Sequence, residues 1–466
     1  MLFILIAAVY ALAVQKSILA DKRDEYKVGE LPADWDVPPS YAGLIPIPTT
    51  KEQKSIFFWY FEAQVPLEDN PPLIIWLQGG PGSSSMIGLF YEMGPFFINE
   101  KIEKNPNTWN KHAAMLFIDN PVGTGFSFVQ DNPKSVEDLD YIATSDLIDP
   151  NTAIFHQKCL AYERYDKPNY KNGYPTNQAA VANDLIYFLD EFYTIFPEQK
   201  ESRLYVTGES YAGKYVPALA YHIHKVNQKR QDFKIPLVGV GIGNGLTDPI
   251  TQIKYHAPLA LALGLVSHKV AKDIEKLAEL AIHYICRFDW ENALKARQTL
   301  FNIFKTESGS INWYDVRKSS TQYDREPMLS FLDLESTRQA INVGDHAYGK
   351  DPNIDIHMRD DIMQSAASYF PELLDNGYQV LLYQGQFDFR DGVWSNSEWI
   401  EHINWKHQKK YLNADRQIWK QEQVAGYYTR FENLVRFELL NAGHLAPGDQ
   451  GLYTLKMIEE FLLGYK

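Results

Sequence analysis

The sequence predicts an α/β fold with a mostly parallel central sheet. Two short apolar runs, Leu73–Leu77 and Met115–Asp119, each lead directly into a glycine-rich loop. A third run, Leu204–Thr207, stops at Gly208 and is followed by small residues and then by a predicted helix. Continuous apolar runs are typical of parallel strands that are buried on both faces. Strands that alternate with helices indicate one sheet covered by helices on both sides.

The first element is an apolar run from Leu2 to Val14. It is too short to span a bilayer comfortably, and Ala11–Ala13 offers a small-residue cleavage site. We therefore interpret residues 1–20 as a secretory signal peptide. Residues 21–466 are then the mature domain, with no membrane segment and with a secreted or lysosomal location.

Composition excludes several classes of partner. The formal net charge is −14, which argues against nucleic acid and anionic membranes as partners. We find no cofactor fingerprint and no metal-binding cluster in the sequence, so we expect neither a cofactor nor a metal. A homodimer is compatible with the sequence. The two cysteines, Cys159 and Cys286, could form one disulfide or remain as two buried thiols.

The loop after the first buried strand runs from Gln78 to Ser85. Ligands bind beyond the carboxyl ends of strands in α/β sheets. Gly79 and Gly80 would let backbone N–H groups point inward, as an oxyanion hole requires. The alternative is a plain Gly-Pro turn, whereas the glycine spacing excludes a dinucleotide-binding fingerprint.

The stretch from Gly208 to Gly213 reads GESYAG and predicts a sharp strand-to-helix turn with Ser210 at its apex. It departs from the G-x-S-x-G pattern only in Ala212, which is also small. A plain structural turn is one alternative. A phosphate-binding loop is another, but Tyr215 stands where such a loop has the Ser or Thr that binds Mg²⁺.

Two later strands supply candidate partners for Ser210. The run Gln379–Tyr383 leads to Asp388, and the run from Leu434 to Leu440 leads to a loop that carries His444. Asp391 is the local competitor of Asp388. The chain order Ser, Asp, His is that of one known catalytic-triad arrangement. Together with the match of Gly385–Asp388 to a family motif, described below, this order predicts Ser210, Asp388 and His444 as the catalytic residues.

Two segments interrupt the alternating pattern. Residues about 132–172 are polar and lack clear periodicity, and Cys159 within them argues against a bridge to Cys286. Residues about 250–340 are predicted to be mainly helical, including helices over Val270–Tyr284 and Asn292–Phe304. A further helix is predicted between Asn177 and Phe196, because its apolar residues recur at helical spacing.

Several of these motifs together resemble the serine carboxypeptidase family, which has the α/β-hydrolase fold. The matching stretches are Trp76–Gly82, Gly88–Pro95, Phe117–Ser127, Gly208–Gly213, Gly241–Gly245, Gly385–Asp388 and Gly443–His444. In their exact residues, these stretches most resemble the vitellogenic carboxypeptidase-like members of the family. Gln78 and Ser83 depart from the commoner family pattern, which has Asn and Cys at these positions.

The resemblance implies a serine-type carboxypeptidase that removes C-terminal residues from peptides and proteins through an acyl-enzyme. It implies that backbone N–H groups of Gly80 and Tyr211 hold the oxyanion. It also implies that residues about 250–340 form a helical cap insertion over the active site.

By the same resemblance, the C-terminal carboxylate of the substrate is bound by four side chains: Gln78, Glu209, Trp76 and Glu92. Desolvation and a neighbouring acid would raise the pKa of Glu209, so that it can donate a hydrogen bond to the substrate. We therefore expect activity to be favoured at acidic pH. The sequence leaves two alternatives open: an acyltransferase or esterase of the same fold, and a non-catalytic binding protein on a hydrolase scaffold.

Overall fold

The computed structural model describes residues 22–33, 37–49, 53–99, 101–130, 166–319 and 324–464. The predicted signal peptide, residues 1–20, lies outside the described residues. So do Cys159 and the predicted insertion from residue 132 to residue 165.

The strands follow from the apolar runs in the sequence. In the described residues they are β1 Ser40–Ile47, β2 Lys54–Phe61, β3 Leu73–Leu77, β4 Phe96–Ile98, β5 Ile102–Lys104, β6 Ala114–Ile118, β7 Thr124–Gly125, β8 Phe128–Val129, β9 Tyr170–Lys171, β10 Tyr174–Pro175, β11 Leu204–Glu209, β12 Leu237–Gly243, β13 Gly349–Lys350, β14 Gln379–Gly385, β15 Gln417–Lys420, β16 Val424–Phe431 and β17 Leu434–Leu439.

One large sheet organises the described part of the chain. Its strand order is β1-β2-β6-β3-β11-β12-β14-β17-β16-β15, with β8 paired to β2. The six central strands, from β6 to β17, are parallel to their neighbours, whereas the pairs at both flanks are antiparallel. The prediction of a mostly parallel central sheet is therefore confirmed. The carboxyl ends of β3, β11, β12, β14 and β17 lie along one edge.

The helices cover the sheet on both faces. They are α1 Met86–Tyr91, α2 Gln178–Ile195, α3 Ala212–Lys229, α4 Pro249–Gln252, α5 His256–Ala262, α6 His268–Ile285, α7 Trp290–Glu307, α8 Glu326–Asp333, α9 Glu335–Ala340, α10 Asn353–His357, α11 Phe370–Asp375, α12 Val393–His402, α13 Gln408–Leu412, α14 Ala446–Asp449 and α15 Gly451–Leu463, with short 3₁₀ turns at Trp109–Lys111, Pro197–Glu201, Ile253–Tyr255 and Ala367–Tyr369.

Each face of the sheet has its own apolar core. The long helices α2 and α3 pack on one face, where Phe188, Phe192 and Leu219 are buried against the sheet residues Phe58 and Val206. The opposite face is covered by α1 and α15, among other segments. Alternate residues of each central strand enter the two cores, which explains why these strands are apolar throughout.

The helices predicted between about 250 and 340 are present, as α4 to α9. Helices α6 and α7 pack against each other through a separate apolar cluster that includes Ile274, Leu277 and Leu300. Phe389, which follows Asp388, also belongs to this cluster. That these helices cap the active site stays a prediction.

The predicted insertion ends in structured chain. Strands β9 and β10 form a small hairpin over residues 170–175. The Tyr170 hydroxyl donates to Asp184 at 2.8 Å, and Lys54 Nζ forms a buried ion pair with Asp184 at 2.8 Å. Residues 170–172, at the C-terminal end of the predicted insertion, are therefore part of this hairpin. Cys286 takes part in a disulfide, so the two-thiol alternative is wrong.

None of the helices in the described ranges is both long enough and apolar enough to cross a bilayer.

Candidate active site

The turn at Ser210 is sharp and strained. Ser210 has a φ of 61°, in the left-handed region that costs a residue with a side chain roughly 1–2 kcal/mol. The turn is tightly enclosed: a Cβ at Gly208 would lie 2.3 Å from the carbonyl oxygen of Leu77. Ser210 N–H donates to the carbonyl of Gly243, and its own carbonyl accepts from Leu246 N–H. The turn thus holds the Ser210 side chain at the carboxyl edge of the sheet.

His444 and Asp388 meet at the same edge, although 56 positions separate them in the chain. Nδ1 of His444 lies 2.7 Å from Oδ2 of Asp388. Both residues are buried, and Nε2 of His444 has no hydrogen-bond partner. The structure therefore pairs one imidazole nitrogen with a carboxylate and leaves the other nitrogen free.

Asp391, the competitor of Asp388 in the sequence, takes a different position. Its carboxylate is buried, its two oxygens have no hydrogen-bond partner, and its nearest cation is Arg390, with Nε 3.7 Å from Oδ2. Burial raises the pKa of Asp391 and the neighbouring arginines, Arg297 and Arg390, oppose this shift. Asp388 is thus the acid that bonds to His444.

The two predicted oxyanion donors lie on neighbouring loops. Gly79 packs so closely on the turn that a Cβ there would lie 2.5 Å from Tyr211 N. Within the described part of the chain, neither Gly80 N–H nor Tyr211 N–H donates a hydrogen bond to the protein. Two adjacent strand-end loops therefore present unused donors, as an oxyanion hole requires.

A buried carboxylate beneath the glycine loop holds this loop in place. Asp119, at the end of β6, accepts hydrogen bonds from Ser84 Oγ at 2.5 Å, Ser85 N at 3.0 Å and Phe126 N at 3.0 Å. Burial raises the pKa of Asp119 to about 7, against the effect of these donors. The loop that carries Gly80 is therefore fixed by a carboxylate rather than by packing alone.

The four side chains predicted to bind the substrate carboxylate are contiguous. Trp76 Nε1 donates to Gln78 Oε1 at 2.8 Å, and Gln78 Nε2 donates to Glu209 Oε1 at 2.6 Å. Glu92 lies beside Glu209, and all four side chains are buried. Both oxygens of Glu92 and the remaining Oε2 of Glu209 have no hydrogen-bond partner. Two buried acids therefore face each other with three unpaired oxygens.

This arrangement changes the pKa of both acids in the same direction. Burial raises the pKa of Glu92 to about 8. Burial and the charge of Glu92 raise the pKa of Glu209 well above its usual value. The two acids interact both through their charges and through a hydrogen-bonding contact between their carboxyl groups. At neutral pH this pair holds a proton.

The pKa of His444 is also raised, but for a histidine a raised pKa favours the charged form. Burial lowers its pKa, but the charge and hydrogen bond of Asp388 together with the charges of Glu209 and Asp391 outweigh burial, and the pKa rises to about 9. The contribution of Glu209 requires an ionised Glu209. When Glu209 holds a proton, this contribution is lost and the pKa of His444 falls.

The structure also adds residues that the sequence did not assign. Asn244, at the end of β12, donates from Nδ2 to Asp388 Oδ2 at 2.7 Å, and Arg390 N–H donates to Asp388 Oδ1 at 2.8 Å. The backbone carbonyl of Tyr314 accepts a hydrogen bond from the backbone N–H of His444 at 2.7 Å. Asn244 stands in a matching motif at a strand end, which was a usable signal, whereas nothing in the sequence marked Tyr314.

The fold can be compared directly with solved structures. The Kex1 prohormone-processing carboxypeptidase of Saccharomyces cerevisiae superposes with a TM-score of 0.74 at 23% identity, covering 94% of this chain and 96% of that one. This likeness, the parallel sheet and the serine turn at its carboxyl edge define an α/β hydrolase.

Comparison of sequences gives the family. Residues 34–464 match the serine carboxypeptidase family, and the chain belongs to it. Similar proteins include the probable serine carboxypeptidase CPVL of Homo sapiens, 34% identical over 91% of this chain and 83% of the relative. Serine carboxypeptidase-like 50 of Arabidopsis thaliana is 34% identical over 91% and 88%, and the venom serine carboxypeptidase of Apis mellifera is 32% identical over 91% and 84%. The chain is thus a serine-type carboxypeptidase, a hydrolase that acts on peptides.

Proposed function

We propose that Ser210, His444 and Asp388 form the catalytic triad. His444 Nε2 removes the hydroxyl proton of Ser210 as Ser210 Oγ attacks the scissile carbonyl, and Asp388 holds the imidazole with Nδ1–H toward its carboxylate. The imidazolium then protonates the leaving amine. An acyl-enzyme remains on Ser210, which water hydrolyses with His444 as the base. The observation that carries this proposal is the Asp388–His444 hydrogen bond beside an unpaired Nε2.

The backbone N–H groups of Gly80 and Tyr211 hold the tetrahedral oxyanion in this proposal. Their support is that both donors are unused and that the two loops are in close contact. Because the loops are fixed before substrate arrives, no reorganisation is needed as charge develops on the oxygen.

The cluster of Trp76, Gln78, Glu92 and Glu209 binds the C-terminal carboxylate of the substrate. Gln78 donates from its amide, and a protonated carboxyl of the Glu209–Glu92 pair donates to the carboxylate. The unpaired oxygens and the raised pKa values of both acids support this role. An ionised pair would repel the substrate carboxylate, so binding weakens as pH rises.

Acidic pH favours the reaction in this proposal through substrate binding. The raised pKa of His444 acts against it, because a protonated imidazole cannot accept the proton of Ser210. At low pH, however, Glu209 is neutral, and its contribution to the raised pKa of His444 is absent. The favoured range is therefore set by the pKa values of the acid pair at its upper end and of His444 at its lower end.

The proposed substrates are C-termini of peptides and proteins, encountered after secretion or within the lysosome. The apolar run and cleavage site in residues 1–20 support entry into the secretory pathway. The net charge of −14 supports a mature form that binds neither nucleic acid nor anionic membranes. A homodimer is compatible with this function and is not needed for it.

A fluorophosphonate probe tests the proposed triad. The probe should attach to the wild type on the peptide that contains Ser210, and both Ser210→Ala and His444→Ala should lose labelling. The wild type should release the free C-terminal amino acid from an N-blocked dipeptide. Labelling of a different residue, or transfer of the acyl group to an added alcohol in place of hydrolysis, would contradict the proposed function.

A further inference from the structure

A buried polar cluster surrounds the hydroxyl of Tyr211. The hydroxyl of Tyr211 donates to Oδ2 of Asp361, and Gln178 Nε2 donates to the same oxygen at 2.7 Å. Tyr211 is 1% exposed and Asp361 is 2% exposed. The residue after the proposed nucleophile is therefore held at its far end by a buried carboxylate.

Lys214 fixes the position of this carboxylate. Its ammonium group is buried and donates to the backbone carbonyls of Asp361, Ile362 and Gln364, the latter two at 3.0 and 2.6 Å. An ammonium group has three donors, so all three are used by one loop. The Asp361 carboxylate lies 3.6 Å from Nζ as its counter-charge. Burial alone would disfavour the charged lysine, so this pairing is what makes a cation tolerable here.

Hydrogen bonds from Gly213 N–H and Leu246 N–H hold the carbonyl of the strained Ser210 turn, and the Tyr211 side chain adds a constraint on the Tyr211 side of the same peptide unit. A change in the φ of Ser210, which is 61°, rotates the Ser210 carbonyl, and with it the peptide unit between Ser210 and Tyr211, about the N–Cα bond of Ser210. That same peptide unit carries the Tyr211 N–H. Relaxation would therefore turn the proposed oxyanion donor away from the substrate. Helix α3 has no side-chain cap at Tyr211 that could hold this position.

We propose that Asp361 is a positioning residue for the oxyanion hole: through the Tyr211 hydroxyl, and braced by Lys214, it locks the peptide unit whose N–H stabilises the transition state. This inference rests on the proposed function, because it assigns a role to a side chain through the oxyanion donor of that mechanism. Asp361 is buried, so the role we assign to it acts through Tyr211 and not by contact with the substrate. Its loss acts on kcat, since the oxyanion exists only in the transition state.

The test compares three variants in steady-state hydrolysis of an N-blocked dipeptide. Tyr211→Phe removes only the hydroxyl and should lower kcat about tenfold with KM changed less than about twofold. Asp361→Asn should lower kcat by about 10- to 100-fold, and the double variant should be no worse than Asp361→Asn alone. Tyr193→Phe is the matched control, because Tyr193 is a buried tyrosine whose hydroxyl has no hydrogen-bond partner.

Three results would overturn the inference. One is a Tyr211→Phe variant with the kcat of the wild type while Ser210→Ala is inactive, which leaves the proposed function intact. Another is an equal fall of kcat in Tyr193→Phe, which would show a general effect of core polarity. Residual activity of the wild-type level in Ser210→Ala would instead contradict the proposed function itself. Strictly additive losses in the double variant would also show that Asp361 does not act through Tyr211.

Discussion

Two buried acidic sites flank Ser210, and they are built in opposite ways. At Asp388 both oxygens accept hydrogen bonds, from His444, Asn244 and Arg390. At the Glu209–Glu92 pair three of four oxygens have no partner. The first site stabilises a negative charge, whereas the second stabilises a proton. The difference indicates that surrounding donors, rather than burial, decide what a buried carboxyl group can do.

The largest effect is expected when the carboxylate of Asp388 loses its charge. Asp388→Asn should lower kcat by about 10³- to 10⁴-fold, because the imidazole loses the carboxylate that sets its tautomer and stabilises its charge. KM should change little. Asp391→Asn is the matched control, since Asp391 is equally buried but makes no hydrogen bond to His444, and it should lower kcat less than about tenfold. Similar losses in the two variants would contradict the assignment.

The second largest effect is expected when Asp388 keeps its charge but loses the hydrogen bond from Asn244. Asn244 has a φ of 44°, so Asn244→Gly keeps the backbone conformation at no steric cost and deletes the side-chain amide, which donates to Asp388 and accepts from Gly385 N–H. We expect kcat to fall by about 10- to 100-fold. A kcat equal to that of the wild type, measured with the same peptide substrate, would show that this donor does not support the triad.

The third effect concerns the site that holds a proton. In the wild type, KM should rise about tenfold or more from about pH 6 to about pH 9, as the acid pair ionises through the Glu92 pKa of about 8. Glu209→Gln removes one acid of the pair while Glu92 remains, and it should therefore reduce the rise of KM with pH. If Glu209→Gln retains the pH dependence of the wild-type KM, the acid pair does not bind the substrate carboxylate.

The smallest effect is on stability. Because the folded pKa of Glu92 is raised, the folded state keeps a proton that the unfolded state releases above its usual value, 4.5. Stability from this group is therefore complete below that value and is lost as pH rises to about 8. Glu92→Gln should reduce the fall in Tm over this range by roughly 1–3 °C, or about 1 kcal/mol. A steeper fall, measured by calorimetry, would contradict the raised pKa.

The sequence was sufficient for the elements that carry a local pattern. The apolar run before Gly208 and the small residues after it predicted a strand, a turn and a helix, and the structure contains β11 and α3 there. Asp388 and His444 each follow a buried strand, and parallel pairing brings their strand ends to one edge. Their roles in catalysis stay predictions.

The remaining parts of the site depend on contacts that no local pattern encodes. Asp361 lies 150 positions from Tyr211 in a loop without a motif, and only folding shows that it accepts from that hydroxyl. Nothing in the sequence indicated a partner for Lys214. Asn244 lies within the family motif Gly241–Gly245, but the motif does not indicate its hydrogen-bond partner. In each case the missing information is the identity of a distant hydrogen-bond partner.

The central claim is that the two acidic sites have separate tasks, one in chemistry and one in binding a free C-terminus. It is tested most directly by measuring kcat and KM of the wild type from about pH 5 to about pH 9 for an N-blocked dipeptide and for its C-terminal amide. We predict that KM rises with pH for the free acid alone, while kcat follows one common pH curve for both substrates. A KM that is flat for the free acid, or that rises in parallel for both substrates, would contradict the claim.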